Sequence, residues 1–109
     1  MIWYKKLYIS ESLQHKKRRV IWKIRHNVLQ PGIFIIILSN NERNNFVIIP
    51  SMELLQKNYP NKENMVILGI ADGKEEALML LENMVNDALD SGLSIDNIKE
   101  YFQPLGGRK

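Results

Sequence analysis

The chain contains no cysteine, and this absence excludes several chemistries at once. Disulfide bonds, zinc–thiolate sites and catalysis by a thiol all need a sulfur atom that this sequence does not supply. The hydrophobic runs are short as well, because the longest is the six-residue stretch from Ile33 to Leu38. A membrane-spanning helix needs about 20 apolar residues. Since the first residues also lack the apolar core of a secretory signal, the sequence predicts a cytoplasmic protein.

Acidic residues are missing from the stretch HKKRRVIWKIRH, residues 15–26. Six of these twelve residues are Lys or Arg, two are His and none is acidic. Residues 1–43 hold nine Lys or Arg against two Glu, whereas residues 72–102 hold eight Asp or Glu against two Lys. Such a split predicts a molecule with a positive and a negative side. The two sides could attract each other between molecules, or the positive side could attract phosphate.

The remaining composition fits one globular domain. The chain has 109 residues, of which 45% are hydrophobic and 25% are charged, and both fractions are typical of globular proteins. A chain of this length commonly forms a single domain. We therefore predict one α/β domain over residues 1–103 and a flexible C-terminal tail over residues 104–109.

The first half of the sequence predicts a strand, a helix and a second strand. Trp3 to Ile9 alternates partly between apolar and polar residues, which is typical of a strand near a sheet edge. Ser12 to Asn27 carries apolar residues at helical spacing and precedes a Pro-Gly stop. Ile33 to Leu38 is apolar at every position, which is typical of a strand buried on both faces of a parallel sheet. This order predicts a βαβ unit.

The second half adds one or two strands and three helices. Phe46 to Ile49 is either a strand hairpinned back antiparallel to the second strand or the buried lead-in to a helix. Met52 to Asn58 predicts a short helix, and Met65 to Ala71 predicts another buried strand. Asp72 is expected to cap a long helix that follows this strand. A last short helix is expected to end at Phe102.

These elements together predict a small three-layer α/β sandwich. Its sheet is expected to have three or four mostly parallel strands, with helices on both faces. We expect residues 33–38 in the middle of the sheet and residues 65–71 beside them or one place away.

The basic stretch occupies one side of the predicted first helix. On a helical wheel that starts at Leu13, the apolar residues Val20 and Ile24 lie close to Leu13. Trp22 points away from them, at the centre of the basic side. An aromatic ring beside arginines can stack on a base while the guanidinium groups meet phosphates. The candidate residues for binding nucleic acid or another polyanion are His15, Arg18, Arg19, Trp22, Arg25 and His26.

Two other interpretations of the basic side stay open. Helices that cross a sheet commonly carry a solvated charged face, which needs no ligand. Alternatively, Trp22 is covered by a neighbouring subunit, by the C-terminal tail or by the first strand.

A second candidate site lies at the ends of the predicted strands. In open parallel sheets, ligands bind beyond the carboxyl ends of the strands, and in this sequence polar residues follow each buried strand. Helix capping accounts for several of these residues without any ligand, so both interpretations are kept. The residues of this possible ligand crevice are Ser10, Ser12, Ser39, Asn40, Asp72 and Gly73.

No metal site, cofactor or catalytic group is indicated by local spacing. His15 and His26 share a side of the helix but lie roughly 16 Å apart along its axis. No zinc or calcium spacing occurs, and neither histidine has a nucleophile or an orienting carboxylate nearby in sequence. We predict no cofactor and no metal, and we leave an enzymatic activity open as the less favoured case.

The segment Val66 to Ala77, VILGIADGKEEA, resembles segments of short, uncharacterised bacterial cytosolic α/β proteins. The turn Ile48-Ile49-Pro50-Ser51 and the basic helix around Trp22 are similar to such sequences too, so the resemblance covers most of the chain. It implies a bacterial source. Because these proteins carry no known activity, it adds nothing on function.

We predict a small soluble, non-catalytic binding or regulatory module that self-associates, with the first helix as its contact face. The charge split and the outward Trp22 motivate this hypothesis. One alternative is a nucleic-acid or polyanion binder that uses the basic Trp22 helix. A second alternative is a small-ligand binder or enzyme at the carboxyl ends of the strands. No membrane partner is expected.

Overall fold

A computed structural model shows the fold and describes residues 1–39, 44–55 and 62–102. The chain begins with strand β1 (Ile2–Ile9), which matches the expected strand and starts one residue earlier. A 3-10 helix (Glu11–Lys16) then leads directly into helix α1 (Lys17–Arg25). The predicted first helix is therefore helical, but Ser12 to Lys16, its first five residues, are wound more tightly than an α-helix. Strand β2 (Ile33–Leu38) follows.

The second half contains the remaining strands and helices. Its elements in chain order are strand β3 (Phe46–Pro50), a 3-10 helix (Ser51–Leu55), strand β4 (Val66–Asp72), helix α2 (Lys74–Asp90) and helix α3 (Ile98–Phe102). Short 3-10 turns precede β4 and α3. The predicted helix over residues 52–58 is a 3-10 helix as far as it is described. Its last residues and the predicted tail over 104–109 lie outside the described residues.

The four strands form one mixed sheet in the order β1-β4-β2-β3. β1 and β4 are parallel, whereas β2 runs antiparallel to both of its neighbours. The prediction of a mostly parallel sheet is wrong, and so is the predicted βαβ unit, because β4 lies between β1 and β2 and β2 runs opposite to β1. An all-apolar strand signals burial on both faces, and an interior antiparallel strand meets that condition as well as a parallel one.

The predicted strand positions are confirmed. β2 is an interior strand beside β4, and β1 lies at an edge. The short apolar run of residues 46–49 is a strand, since β3 pairs antiparallel with β2 from Leu38↔Phe46 to Phe34↔Pro50. Both edge strands carry features that limit further pairing: the register of β1 shifts between Trp3 and Tyr8, and β3 ends in a proline.

Two hydrophobic clusters use alternate residues of the interior strands. Ile35 and Ile67 belong to a cluster that includes α1, whereas their neighbours Ile36 and Leu68 belong to one that includes α2 and α3. Successive side chains of a strand point to opposite faces of the sheet. The two clusters therefore lie on opposite faces. The chain is a mixed α/β protein with helical residues packed into both clusters.

The buried stripes of the helices follow the expected spacing with small differences. Val20 and Ile24 are buried on α1, and Leu13 is buried in the 3-10 helix before it. On α2, the buried residues are Ala77, Leu80, Met84 and Ala88. Leu78 and Leu89 of α2 are exposed, and so is Val28 after α1.

Glycines with positive φ set both ends of α2. Gly73, at φ 92°, is the N-cap residue, and the helix start has no side-chain cap. The predicted cap at Asp72 is wrong, because Asp72 is still paired in β4, opposite Ile33 of β2. Gly92, at φ 101°, follows the end of the helix, as expected for a C-terminal glycine. None of the helices in the described residues combines the length and the apolar character that crossing a membrane requires.

Candidate functional site

The basic face of the first helical region is exposed, as its wheel position predicts. We use the name basic face for six exposed residues on the outward side of this region: His15, Arg18, Arg19, Trp22, Arg25 and His26. The Trp22 side chain is 55% exposed, an unusual fraction for a tryptophan. α1 buries Val20 and Ile24 on its other side, so the packing of the helix does not require Trp22.

Trp22 is held in place by its own helix. Its ring stacks on the ring of His26, with 4.1 Å between the centroids and 20° between the planes. His26 is in turn fixed, because its Nδ1 lies 2.8 Å from the Trp22 carbonyl oxygen. The two residues are one helical turn apart, the spacing at which side chains on a helix meet. One ring face of Trp22 is therefore occupied by His26, while the side chain as a whole stays accessible.

Arg25 contacts a different aromatic ring. Its guanidinium carbon lies 5.4 Å from the centroid of the Trp3 ring, a cation–π distance. Trp3 belongs to the edge strand β1 and packs against the α1-side hydrophobic cluster. The contact ties the end of α1 to the edge of the sheet. The basic face thus borders a second, partly exposed tryptophan.

The positive charges of the basic face are open to an external anion. Arg18 and Arg19 are exposed, and neither forms an ion pair with another residue in the described part of the chain. Together with Lys16 and Lys17 they line a shallow depression of about 410 Å³, which also includes Gln14 and His15. In the residues that the structure describes, no group of three or more His, Asp or Glu side chains is placed to hold a metal ion.

The strand-end crevice is only partly assembled as predicted. β1 and β4 are parallel, so their carboxyl ends meet, and the Ser10 hydroxyl oxygen accepts a hydrogen bond from the Asp72 backbone N–H at 3.2 Å. Ser12 lies close by at the start of the first 3-10 helix. Ser10 is buried, whereas Ser12 and Asp72 are exposed.

Ser39 does not join this group. It follows β2, which runs antiparallel to β4, so it lies at the opposite end of the sheet. β2 has six residues at about 3.3 Å each, which separates its two ends by roughly 20 Å. The expected convergence of all three strand ends is therefore wrong for Ser39, and the reason is the direction of β2. Asn40 lies outside the described residues.

Glu76 belongs to the crevice, although it is not among the residues that the sequence predicted for it. The Ser12 hydroxyl donates a hydrogen bond of 2.7 Å to Oε1 of Glu76. Hydrogen bonds from Ser12 and then Ser10 hold the pKa of the Glu76 carboxyl below its usual value. One feature of the sequence could have indicated that Glu76 lies in the crevice, since Glu76 follows the carboxyl end of β4 by one helical turn. Its pairing with Ser12 joins residues 64 positions apart and could not be read from spacing.

The crevice is an open groove of about 760 Å³ with mixed walls. Its apolar residues are Ile9, Leu80 and Met79, and two carboxylates, Glu11 and Glu76, face it among hydroxyl and amide groups. The backbone N–H of Gly73 is already bound to the Gly32 carbonyl at 2.7 Å, so it is not free to hold a phosphate. Carboxylates repel phosphate as well. These features do not favour a nucleotide or a sugar phosphate in this groove.

Comparisons with known proteins add no further information on function. No family model matches the chain, and neither the curated proteins nor the solved structures include one that is significantly similar to it. The resemblance to short bacterial proteins therefore stays a prediction. Function is inferred from the geometry of the basic face and of the crevice.

Proposed function

We propose that the protein is a small, non-catalytic binding module that binds a polyanion, single-stranded nucleic acid above all, through the basic face. One observation carries this proposal: Trp22 is 55% exposed at the centre of a surface that holds arginines and histidines and no acidic residue. A buried tryptophan would indicate packing, and an exposed one among acidic residues would not attract an anion.

Single strands fit this surface better than duplexes do. A base can stack on an aromatic side chain only if the flat face of the base is accessible, which is the case in single strands. Arg18 and Arg19 lie about one helical turn before Trp22, the spacing at which side chains on a helix are neighbours, so their guanidinium groups can meet the phosphates next to a base stacked on the ring. We further propose a bacterial, cytoplasmic setting and a three-layer arrangement of the domain. The two hydrophobic clusters on opposite faces of the sheet support that arrangement.

Fluorescence anisotropy of labelled oligonucleotides tests the proposal. We expect binding at about 50 mM salt that weakens steeply at about 200 mM, because bound cationic side chains release counterions from the nucleic acid. A single-stranded probe should bind more tightly than the duplex of the same sequence. Quenching of tryptophan fluorescence on binding should accompany the anisotropy change and should be reduced in Trp22→Phe.

Substitutions on the basic face separate stacking from charge. Trp22→Ala should weaken single-strand binding by about 1–3 kcal/mol, the range for a stacked base, and Trp22→Phe should restore part of it. Arg18→Ala with Arg19→Ala should lower both the affinity and the salt dependence. The matched control is Lys5→Ala with Lys6→Ala, which removes the same charge from exposed positions on β1.

Two outcomes would contradict the proposed binding of nucleic acid to the basic face. If neither probe binds at about 50 mM salt, the basic face is not a nucleic-acid surface. If the Lys5 and Lys6 control weakens binding as much as the arginine variant, the attraction is diffuse and no site exists on α1.

A further inference from the structure

The outward side of α2 is the acidic counterpart of the basic face. We use the name acidic face for the exposed residues that share one side of this helix, namely Glu75, Leu78, Met79, Glu82, Asn86 and Asp90. Two of its large apolar side chains are well exposed, Met79 at 67% and Leu78 at 50%. Carboxylates around exposed apolar side chains suit a contact with a basic, partly apolar surface.

The two faces cannot satisfy each other within one chain. α1 contributes its buried residues to the cluster that contains Ile35, and α2 contributes its own to the cluster that contains Ile36. Because these clusters lie on opposite faces of the sheet, the outward sides of the two helices point in opposite directions. The basic face of one molecule can therefore contact an acidic face only on another molecule.

We propose that the acidic face of one copy of this chain docks the basic face of a second copy. Arg18 and Arg19 of the second copy meet Glu75 and Glu82, and its exposed Trp22 ring covers Met79, a favourable sulfur–aromatic contact. The inference rests on the proposed function in one respect, since it uses the same basic face. A bound polyanion and a second copy therefore compete for that face.

The opposite directions of the two faces determine the form of the assembly. A contact between unlike surfaces is heterologous, and it repeats from copy to copy unless the rotation between copies closes a ring. The contact therefore stacks copies head to tail, with a free basic face at one end and a free acidic face at the other. A closed dimer would need the same surface from both partners.

Light scattering and sedimentation of the full chain measure the assembly directly. At an ionic strength of about 0.01 M, where exposed charges are screened little, the mean mass should rise with protein concentration beyond that of a dimer. At about 1 M salt the mass should fall toward that of a monomer. A single-stranded oligonucleotide should also lower the mass, because it occupies the basic face.

Two charge-reversal variants and their mixture test the pairing of faces. Arg18→Glu with Arg19→Glu reverses the basic face, and Glu75→Lys with Glu82→Lys reverses the acidic face. Each variant alone should be monomeric. An equimolar mixture should associate again, because the intact basic face of one variant meets the intact acidic face of the other and the two reversed faces are complementary too. The control Asp96→Lys with Glu100→Lys, outside the acidic face, should assemble like the unmodified chain.

The outcomes decide the inference separately from the proposed function. A chain that stays monomeric at high concentration and low salt overturns the inference, as does a mixture of the two variants that stays monomeric. Assembly of the basic-face variant at the unmodified level overturns it too. Oligonucleotide binding is measured on Glu75→Gln with Glu82→Gln, a variant that weakens the acidic face without adding positive charge and keeps the basic face intact. If that variant binds the probe, the proposed function stands whatever the assembly does.

Discussion

α1 and α2 bury similar surfaces but expose opposite ones. Inward, both helices place aliphatic side chains on the sheet, Val20 and Ile24 from α1 and Leu80 and Met84 from α2. Outward, α1 carries Arg and Lys around an exposed Trp22, whereas α2 carries Glu and Asp around an exposed Met79. The inward residues account for the packing of both helices on the sheet, and this packing does not depend on the sign of the outward charges.

Solvation does not explain why the two helices carry charges of opposite sign. Solvation alone requires polar side chains of either sign, and mixed signs serve it well. Separation of the signs onto two helices gives the molecule a positive side and a negative side. Exposed Trp22 and Met79 add apolar area to both surfaces, which solvation does not require.

The largest expected effects are on the free energy of unfolding. They are measured by truncating one inward and one outward side chain on each of α1 and α2. Ile24→Ala and Met84→Ala should each lower the free energy of unfolding by about 2–5 kcal/mol, because both side chains are buried and leave a cavity. Trp22→Ala and Met79→Ala should change it by no more than about 0.5 kcal/mol, as exposed substitutions do. Urea unfolding followed by circular dichroism gives the four values.

These four values decide whether the outward residues are free for function. If Trp22→Ala destabilises the chain as much as Ile24→Ala does, the Trp22–His26 stack is a structural element and the exposed ring no longer indicates a binding surface. Unchanged far-ultraviolet circular dichroism in all four variants is needed for the helices to be compared.

The absence of a side chain on Gly69 allows α2 to lie close to the sheet. A Cβ atom on Gly69 of β4 would lie 3.1 Å from Cδ2 of Leu80 and 3.2 Å from the Tyr8 carbonyl oxygen. Gly69→Ala should therefore cost about 1–3 kcal/mol by crowding. In a Leu80→Ala background the cost of Gly69→Ala should be smaller, because the contact with Cδ2 of Leu80 is gone.

Gly92→Ala is the matched control for this prediction. Gly92 has φ 101°, and a Cβ atom added to it would meet no atom within 4 Å, so the cost of Gly92→Ala comes from backbone strain alone. About 1 kcal/mol is expected, and it should be the same with Leu80 or Ala at position 80. Equal costs of Gly69→Ala in both backgrounds would show that Leu80 does not limit the approach of α2 to the sheet.

The sequence predicted burial well and strand direction poorly. The apolar runs at 33–38 and 65–71 identified both interior strands. The run at 46–49, which the sequence left open between a strand and the lead-in to a helix, is an edge strand. Direction was missed because an apolar run has the same appearance in either orientation. That one error also placed Ser39 with Ser10 and Asp72, although β2 ends at the far side of the sheet.

For the candidate site, local spacing was informative and distant contacts were not. The exposure of Trp22 followed from its wheel position, and its stack on His26 uses a spacing of one helical turn. The contact of Arg25 with Trp3 depends on how α1 crosses the edge strand, which no spacing reveals. Glu76 was missed for the same reason, because its partner Ser12 lies far away in sequence.

A smaller effect is expected where α2 meets the edge strand β1. The Tyr8 hydroxyl donates a hydrogen bond of 2.6 Å to Oδ2 of Asp87, and burial together with this bond raises the pKa of Tyr8. Tyr8→Phe should cost about 0.5–1.5 kcal/mol. A raised pKa in the folded state means that this stabilisation is present below the unfolded value, about 10, and is lost as the pH rises further.

The matched variant is Asp87→Asn, which keeps an acceptor for Tyr8 but removes the charge. Spectrophotometric titration of the tyrosines should show Tyr8 ionising at lower pH in this variant than in the unmodified chain. An unchanged titration would mean that Asp87 does not raise the pKa of Tyr8. The hydrogen bond between Tyr8 and Asp87 would then not connect α2 to β1.

The smallest expected effect concerns the hydrogen bond that joins the two helical regions, from Ser12 before α1 to Glu76 of α2. The pKa of Glu76 is lowered in the folded state, so the bond stabilises the chain above the unfolded value, about 4.3, and this contribution is lost as the pH falls through the folded pKa. Ser12→Ala should therefore lower Tm at neutral pH and have less effect at low pH. Ser94→Ala, which removes a hydroxyl that makes no cap bond, should show no such dependence. A Tm difference for Ser12→Ala that is the same at every pH would mean that Ser12 acts without Glu76, and the basic and acidic sides would then be joined through the sheet alone.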